Sequence, residues 1–413
     1  MLIKTLLNKS YPIKKFVYGK VYMKGITVFV EVASRKGSQG VCNVCHKPCP
    51  TYDHLYSRHY RFIPLWGYMV IFIYRPRRVN CPKHGIAVED VPWSDGKSPI
   101  SKPFQIFLSH WAKYLSWKEV ANQFKVSWIN VFESVKKVVG YGLKHRNLEN
   151  IKAIGIDEIQ YLKGHKYLTL VYQIDPSCRR LLYVGKDRKV KTLLRFFYRF
   201  GKERTQNLQA ICSDLWKPYL KVIKRKVPEA VHILDRFHIM KYLNEAVDNT
   251  RIQETSQLKK DGYEPILEKS RWCWLRNKKN RKKSQVAKLR ELVQYNLKTV
   301  RCFLLKEAFQ HLWTYKTWRG AENYFKEWST KAMRSKLPEI KKVVKSLRKH
   351  QDLLLNYFFV KERLSNSIVE GFNLKAKLTM RKSYGFRMFE TIEVALYHTL
   401  GYLPEPPVTH RFC

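Results

Sequence analysis

The 413-residue sequence lacks several features that define whole classes of protein. It contains no run of about 18 or more consecutive apolar residues, the length that a helix needs to cross a bilayer. The apolar part of its first nine residues is too short for a signal peptide. It shows neither a fixed-period repeat nor a long low-complexity tract. We therefore expect a cytoplasmic chain of two to four ordinary domains.

Acidic residues are scarce. The chain has 33 Asp and Glu against 79 Lys and Arg, which gives a formal net charge of +46. Such an excess repels itself in a folded chain unless a polyanionic partner neutralises it. A membrane surface is the competing use of basic charge, but nucleic acid is the simplest partner. The composition favours a DNA-binding protein.

Cysteine is also sparse, with nine residues in the chain. In a reducing compartment such residues bind metals or are buried more often than they form disulfides. Two pairs share a spacing of two intervening residues, Cys42 with Cys45 and Cys81 with His84. Together they predict a tetrahedral Zn²⁺ site, which is structural because four protein ligands leave no open position. The alternative is chance pairing. Spare candidates for one ligand are Cys49, His54 and His59.

Two of the few acids follow short apolar strands. Asp157 ends the β-branched run that starts at Ile151, and Asp214 closes a similar run from Leu208. Each pattern predicts a buried strand that delivers a carboxylate at its end. Glu370 lies in a helical stretch instead. If the three carboxylates converge, they would hold a pair of divalent ions suited to in-line displacement at phosphorus.

The predicted helix that carries Glu370 also presents cations. Helical spacing places five residues on one face. They are Asn366, Glu370, Asn373, Lys377 and Arg381. Glu370 would hold a metal ion while Lys377 and Arg381 contact phosphates of a bound DNA strand. The alternative is a solvated glutamate with nearby cations, which is common on helices. The two preceding aspartates weigh against that alternative.

Two more polar residues follow a third short strand. Asp235 and His238 come directly after the apolar run that ends at Leu234. An extra acid beside a metal site often orients a ligand or completes a hydrogen-bond network. We predict such supporting roles for both residues. Glu158 is a weaker candidate than Asp157, because successive strand side chains point to opposite faces.

The order of predicted elements indicates an α/β fold. Three consecutive strands followed by alternating helices and strands match the core of a ribonuclease H-like fold. The predicted fold class is therefore a ribonuclease H-like catalytic core with a helical insertion, preceded by a β-rich zinc ribbon and a helix-turn-helix. The expected regions are a zinc ribbon at 1–95, a helix-turn-helix at 100–148, the core at 149–249, a basic helical insertion at 250–357, and the last core helices at 358–413.

The segment from Ser116 to Val139 is a candidate helix-turn-helix, with an apolar face on its first helix. The second helix would enter the major groove of DNA. Lys125, Lys136 and Lys137 lie nearby and favour this interpretation. The alternative is a plain helical hairpin that packs on the catalytic core.

A second basic segment starts at Arg271 and contains two tryptophans, Trp272 and Trp274. Cations mixed with aromatic side chains suit backbone contact plus stacking on an unpaired or flipped base. The alternative is a solvated charge run whose tryptophans belong to the core of an insertion. The sequence leaves these two interpretations equally open.

Taken in order, these motifs resemble those of bacterial DDE-type insertion-sequence transposases, and specifically the ISL-three family. The motifs lie at 42–45, 77–85, 91–93, 155–158, 213–219, 234–239, 365–373 and 384–387. The resemblance implies a zinc ribbon, a helix-turn-helix and a ribonuclease H-like domain interrupted by a helical insertion. It also implies that Asp157, Asp214 and Glu370 form the acidic triad.

The resemblance further implies DNA transposition. The chain would bind the terminal inverted repeats of its own element as a homo-oligomer on paired ends of double-stranded DNA, associated with the nucleoid. Two Mg²⁺ or Mn²⁺ ions would support a hydrolysis that frees a 3′-hydroxyl, which then attacks target DNA. Two alternatives remain: a structure-selective nuclease of the same fold, and a zinc-dependent DNA-binding regulator with an inert catalytic domain.

Overall fold

A computed structural model describes residues 3–96, 98–162, 164–360, 367–383 and 386–407. The chain forms two compact units, one of residues 1–147 with 378–413 and one of residues 148–377. The fold is mixed α/β, with a β-rich N-terminal region and a helical C-terminal part. Across the described ranges, no helix is long and apolar enough to cross a membrane.

The first unit starts with a short helix and a β-rich region. Its elements are α1 (Ile3–Ser10), β1 (Phe16–Lys24), β2 (Thr27–Ser34), β3 (Gly40–Val41), β4 (Pro48–Cys49), β5 (Thr51–His54), β6 (Arg58–Leu65), β7 (Tyr68–Tyr74), β8 (Arg77–Cys81) and β9 (Gly85–Val88). The strand orders are β1-β2-β7-β6, β3-β4 and β5-β8-β9. Alternate residues of β2, namely Val28, Val30 and Val32, are buried, so one face of its sheet covers a core that includes Trp93.

Four further helices, besides α1, belong to the described part of the first unit. They are α2 (Lys102–Ala112), α3 (Trp117–Gln123), α4 (Trp128–His145) and, later in the chain, α17 (Phe389–Leu400). Ser116 caps α3 in a reciprocal capping box with Glu119, and the Ser127 side chain caps α4. These caps explain why the helices start where they do. The turn between α3 and α4 includes Lys125 in a left-handed conformation, with φ 49°.

The second unit contains a mixed sheet followed by helices. Its elements are β10 (Ala153–Leu162), β11 (Lys166–Asp175), β12 (Cys178–Lys186), α5 (Val190–Phe200), α6 (Lys202–Gln206), β13 (Ala210–Ser213), α7 (Lys217–Lys226), β14 (Val231–Leu234), α8 (Arg236–Lys260), α9 (Arg271–Leu275), α10 (Lys283–Val293), α11 (Lys298–Gln310), α12 (Trp318–Arg334), α13 (Pro338–Lys349), α14 (Gln351–Leu355), α15 (Tyr357–Val360) and α16 (Ser367–Lys382). Short 3₁₀ turns lie at Lys278–Asn280 and His311–Thr314. The boundary between the two units falls within α16.

The strand order of this sheet is β12-β11-β10-β13-β14. The strands β10, β11 and β12 pair antiparallel, whereas β13 and β14 run parallel to β10. Residues from Leu168 to Asp175 of β11 are all buried, as expected for a central strand that is covered on both faces. Helices α5 and α7 cover one face with apolar side chains such as Phe196 and Val222.

The prediction that Asp157 ends its strand is wrong, because β10 continues to Leu162. The parallel pairing between β10 and β13 stops at Ile156 opposite Ser213. Beyond that pair β10 remains in the sheet only through β11, where Asp157 lies opposite Leu170. The apolar run in the sequence ends where β13 stops pairing with β10, but β10 itself continues beyond that point.

The helices after β14 form a core of their own. Trp274, Phe309, Phe325 and Leu355 are completely or almost completely buried in it. The indole of Trp328 donates a hydrogen bond to the Leu305 carbonyl at 2.8 Å, which satisfies its polar atom inside that core. This region is a packed helical body.

Gly155 allows α16 to approach the sheet closely. A Cβ at this position would lie 2.5 Å from Cγ2 of Val369 on α16, closer than carbon atoms can pack. Glycine inside a strand often marks such a close approach of another element. The contact places α16, which carries Glu370, directly on the strand that carries Asp157.

Candidate active site

The strand register places Asp157 and Asp214 side by side. Each follows directly after the last parallel pair between β10 and β13, Ile156 with Ser213. Both are nearly buried, at 6% and 8% exposure. An Asp157 oxygen accepts from the backbone N–H of Glu158 at 2.7 Å. The two carboxylates therefore lie next to each other at the end of this paired stretch, although Asp214 is not in the group of described residues whose ligand atoms lie within 4.8 Å of one another.

The imidazole of His238 lies between these two carboxylates. Its Nε2 is 3.3 Å from Oδ1 of Asp157, and its Nδ1 is 3.5 Å from Oδ2 of Asp214. Asp235 caps the same helix, α8, by accepting from the backbone N–H of Phe237 at 2.8 Å. Ligand atoms of Asp157, Asp235 and His238 all lie within 4.8 Å of one another, close enough to share one ion. The supporting roles of Asp235 and His238 stay a prediction, because this geometry would also allow both residues to bind an ion directly.

Burial and charge shift the proton affinities of these groups. Burial raises the pKa of Asp235 to about 6, against the opposing charge of His238. Burial likewise raises the pKa of Glu158 to about 7, although Arg188 opposes it. Burial acts to lower the pKa of His238, but the hydrogen bond to Asp157 and the neighbouring carboxylate charges outweigh it and raise that pKa to about 9. In the absence of a bound cation, these three groups therefore bind protons more tightly than they would in water.

The α16 helix contacts this site through Asn373. The Asn373 amide donates to Oδ2 of Asp157 and accepts from the Tyr172 hydroxyl at 2.9 Å. Glu370 is exposed and lies one helical turn before Asn373, on the same face of α16. In the described part of the chain, Glu370 is not among the groups that already lie within ion-sharing distance. Asn366 lies outside the described residues.

Sequence reasoning missed several residues that touch the carboxylates. Tyr242 donates to Asp214, at 2.9 Å from Oδ1 and 3.2 Å from Oδ2. Its position four residues after His238 on α8 is a signal that helical periodicity offers. Arg188 lies 3.5 Å from Asp214 and 3.3 Å from Glu158. Arg188 follows β12 in a turn, and no periodic pattern points to it.

The cysteine pairs come together in the first unit. Ligand atoms of Cys42, Cys45, Cys81 and His84 lie within 4.8 Å of one another. Separations of 3.6 Å for Cys45 to Cys81 and 3.5 Å for Cys81 to His84 approach the edge of a tetrahedron around Zn²⁺, which is roughly 3.8 Å for Zn–S bonds of about 2.3 Å. The backbone N–H of Lys83 helps to lower the pKa of the Cys81 thiol to about 7, which favours the thiolate that a metal needs. The cluster is compatible with zinc.

The spare zinc candidates lie outside this cluster. Cys49 is buried beside it, with its Sγ 3.5 Å from the Lys47 carbonyl. His54 and His59 are exposed on β5 and β6. None of the three belongs to the set of described groups within 4.8 Å.

The lysines proposed for DNA contact differ in their surroundings. Lys125 is exposed at the turn between α3 and α4, and Lys377 and Arg381 are exposed on α16. Lys136 pairs with Glu390 at 2.6 Å, and Lys137 pairs with Asp95 at 3.0 Å. DNA phosphates would have to compete with those two acids, so Lys125 is the most available of the three predicted lysines of the α3–α4 region.

The tryptophans after Ser270 differ from each other. Trp272 is 51% exposed, and the guanidinium groups of Arg271 and Arg276 lie 5.3 and 5.5 Å from its ring centroid. Trp274 is 0% exposed and donates its indole N–H to Ser270 at 2.9 Å. The expectation that Trp274 stacks on a base is therefore wrong, because a side chain in the helical core cannot reach DNA. Arg271 also pairs with Asp248 at 2.9 Å.

We expect the cluster of Asp235, Glu158 and His238 to contribute less to the stability of the metal-free protein as pH rises from about 4 to about 9. Asp235, Glu158 and His238 all have raised pKa values, so the folded state binds more protons than the unfolded state and unfolding becomes easier as pH increases. The His238 contribution is present below its ordinary pKa of 6.5 and is lost as pH rises through about 9. It amounts to roughly 1–3 kcal/mol. Urea unfolding of wild type and His238→Gln at pH 6 and 9.5 measures it, and equal pH dependence in the two proteins would contradict the assignment.

Comparison with known proteins identifies the family. A family model described as Transposase, of the DDE and ISL-three type, matches residues 154–396, which is more than half of the chain. The transposase for insertion sequence element IS1001 of Bordetella parapertussis is 27% identical over 350 residues, covering 84% of this chain and 85% of that protein. The transposase for insertion sequence element IS1557 of Mycobacterium tuberculosis strain H37Rv is 26% identical over 416 residues, covering 94% and 92%. The predicted resemblance is thus confirmed, and the chain belongs to the ISL-three family of DDE transposases.

Proposed function

We propose that this transposase cuts DNA at the terminal inverted repeats of its own element and joins the freed ends to target DNA, with Asp157, Asp214 and Glu370 as ligands of two divalent ions. One observation carries the proposal. Asp157 and Asp214 directly follow the last parallel pair of β10 and β13, and the helix that bears Glu370 packs on β10 at Gly155. Membership of a transposase family supplies the reaction class.

The strand order supports a ribonuclease H-like catalytic domain. Three antiparallel strands are followed by two strands parallel to the first, in the order β12-β11-β10-β13-β14. The helices from α8 to α15 separate this sheet from α16 in the sequence. Their position supports the helical insertion that the ISL-three resemblance implies, with Glu370 as the third acid after it in the sequence.

The donor set fits divalent metal ions. Asp157 and Asp214 are nearly buried, and both have an oxygen within 3.5 Å of His238. Buried carboxylates that converge in this way favour a cation at that place. Hard oxygen ligands of this kind suit Mg²⁺ or Mn²⁺. Asp157, Asp214 and Glu370 would hold the ions. Asp235 and His238, at the N-terminus of α8, would orient these carboxylate ligands.

Two such ions, when bound, would supply charge stabilisation for both the attacking and the leaving oxygen of an in-line displacement. The protein residues fix the geometry that this chemistry needs. Asn373 and the backbone N–H of Glu158 hold the two oxygens of Asp157, and Tyr242 holds Asp214. Water attacks first and leaves a 3′-hydroxyl, and that hydroxyl then attacks a phosphate of target DNA. Each step exchanges one P–O bond for another, so no covalent protein intermediate is needed.

We further propose that DNA recognition belongs to the first unit. The capped helices α3 and α4 are joined by a four-residue turn and correspond to the expected helix-turn-helix. Trp128 and Ile129 are about half exposed at the start of α4, where a recognition helix would meet base edges. A structural zinc ion at Cys42, Cys45, Cys81 and His84 would hold the adjoining β-ribbon. Paired DNA ends would be held by a homo-oligomer.

The test uses purified full-length protein and linear DNA that carries the element's own ends. With Mg²⁺ or Mn²⁺ we expect cutting at the ends and covalently joined donor–target products on a denaturing gel, and with Ca²⁺ in their place we expect binding alone. Cut ends without joined products would favour a nuclease of the same fold. Binding without cutting in either metal would contradict the proposed function and would revive the regulator, which the family match does not favour.

A further inference from the structure

Arg188 is a cation at the edge of the carboxylate cluster, and the proposed metal chemistry gives it no role. Its Nη2 lies 3.5 Å from Oδ2 of Asp214, and its Nε lies 3.3 Å from Oε1 of Glu158. Both carboxylate side chains are nearly buried, whereas the Arg188 side chain is 30% exposed. The Arg188 side chain therefore contacts buried acids of the site while part of it remains open to solvent.

The guanidinium plane is held by an aromatic ring. The Arg188 Cζ lies 4.5 Å from the ring centroid of Trp216, within the range of a cation–π contact. Trp216 precedes α7 and itself contacts Tyr219. A stacked guanidinium keeps its N–H groups in one fixed plane, which suits the bidentate recognition of phosphate.

The backbone also directs Arg188 toward the site. The preceding residue, Asp187, adopts a left-handed conformation with φ 72°, which is uncommon for a residue other than glycine. Its N–H donates to the Tyr167 carbonyl at 3.0 Å, and its carbonyl accepts from the Thr169 hydroxyl at 2.8 Å. The Thr169 hydroxyl is in turn 2.8 Å from the hydroxyl of Tyr219. This turn is fixed by buried hydrogen bonds, so the start of the Arg188 side chain is fixed as well.

Charge compensation alone does not explain the geometry. An arginine that serves a carboxylate usually forms two parallel hydrogen bonds of about 2.8 Å. Here the two contacts are longer and go to different acids, and the buried Nε has no hydrogen-bond partner of good geometry. An ion bound to Asp214 would weaken the longer of these contacts. The donors of Arg188 are thus incompletely used in the metal-free protein.

We propose that Arg188 is a further catalytic residue, whose guanidinium binds the non-bridging oxygens of the phosphate that is cut. The ligand is a phosphodiester of the bound DNA end, at the edge of the site where the exposed face of Arg188 lies. The proposal rests on the proposed function, since it takes the carboxylates of β10 and β13 as the reaction centre. Arg188 would stabilise the negative charge on the phosphate oxygens during the attack and would fix the orientation of the phosphate.

The test is a double-mutant cycle between protein and DNA. Binding is measured with Ca²⁺ in place of Mg²⁺, on end DNA with an ordinary phosphate or a single uncharged methylphosphonate at the scissile position, and gels confirm that the DNA stays intact. Loss of a charged hydrogen bond is worth roughly 1.5–3 kcal/mol, or about 10- to 100-fold in affinity. We expect that penalty for the methylphosphonate with wild type, and less than about threefold with Arg188→Ala.

Arg195→Ala is the matched control, because Arg195 is an exposed cation on the helix that follows Arg188. It removes the same charge from the chain and is expected to keep the full methylphosphonate penalty. A methylphosphonate placed several phosphates away should cost Arg188→Ala and wild type equally. Arg188→Lys keeps the charge without the planar fork, so it should keep only part of the coupling and also serves if the alanine variant does not fold.

An equal methylphosphonate penalty in wild type and Arg188→Ala would overturn the assignment of Arg188. If wild type cuts DNA while the cycle shows no coupling, the proposed function stands and this inference fails. If the cycle shows coupling but wild type never cuts or joins in Mg²⁺ or Mn²⁺, Arg188 still binds that phosphate and the proposed function fails. Tighter Ca²⁺ binding by Arg188→Ala without coupling would identify Arg188 as a charge-balancing residue and would also overturn the inference.

Discussion

Asp157→Asn is expected to reduce DNA cutting and joining by at least about a thousandfold, while binding to the element's ends persists. The substitution keeps the size of the side chain but removes the negative charge that a divalent ion needs, and ions of this kind supply most of the stabilisation of the developing charge. Asp214→Asn should have the same effect. Because the carboxylates act as one unit, the double variant should be little worse than either single variant.

The matched control for this experiment is Asp261→Asn. Asp261 is exposed at the end of α8, where it contacts Gln257 and lies apart from the carboxylate cluster. The Asp261→Asn variant should cut and join DNA like wild type. Calorimetry with Mn²⁺ should show weaker metal binding for the Asp157 and Asp214 variants only. Wild-type cutting rates in either variant would remove these aspartates from the active site.

Glu370→Gln is the sharper test of the third carboxylate. The structure shows Glu370 exposed, one turn before the residue that contacts Asp157, so its place in the site depends on the orientation of α16. A loss of cutting that equals the loss for Asp157→Asn would make Glu370 a metal ligand. Unchanged cutting would leave Asp235, which already lies within ion-sharing distance of Asp157, as the third acid.

The two strand aspartates were accessible from the sequence because a local pattern specifies them. An apolar β-branched run that ends in an acid predicts a buried strand, and the parallel register of β10 and β13 then brings the two acids together. The extent of β10 was not accessible. Its last residues pair only with β11, so they need not be apolar, and the sequence signal stops at Ile156.

The cationic side of the site was harder to foresee. Arg188 reaches the carboxylates from a turn, and its position depends on a left-handed residue and on hydrogen bonds from Thr169. Such contacts are long-range and leave no periodic mark in a sequence. For Trp274 the sequence pattern is misleading. A run of cations around two tryptophans is typical of stacking on DNA, but Trp274 is buried in the helical core.

Cys81→Ser is expected to abolish zinc binding and to unfold the ribbon formed by β3, β4, β8 and β9. Strands β3 and β4 have two residues each, and the buried core around them consists of Cys42, Cys49, Val79 and Cys81 alone within the described residues. Because a core of so few apolar groups cannot stabilise the ribbon, the metal must contribute most of its stability. Structural zinc sites supply on the order of 10 kcal/mol or more. Native mass spectrometry should show one zinc ion in wild type and none in the variant.

The control for zinc is Cys49→Ser. Cys49 lies in the same small core but outside the group of four ligand atoms, so its loss should cost little more than a buried thiol and should leave the zinc ion in place. If Cys49→Ser loses zinc while Cys81→Ser retains it, the ligand set is wrong. Chelation of zinc should abolish binding to the element's ends, and added Mg²⁺ should not restore it, because a hard ion does not replace zinc at thiolates. Loss of end binding without loss of Mn²⁺ binding at the carboxylates would show that the two metal sites serve separate steps, one recognition and the other chemistry.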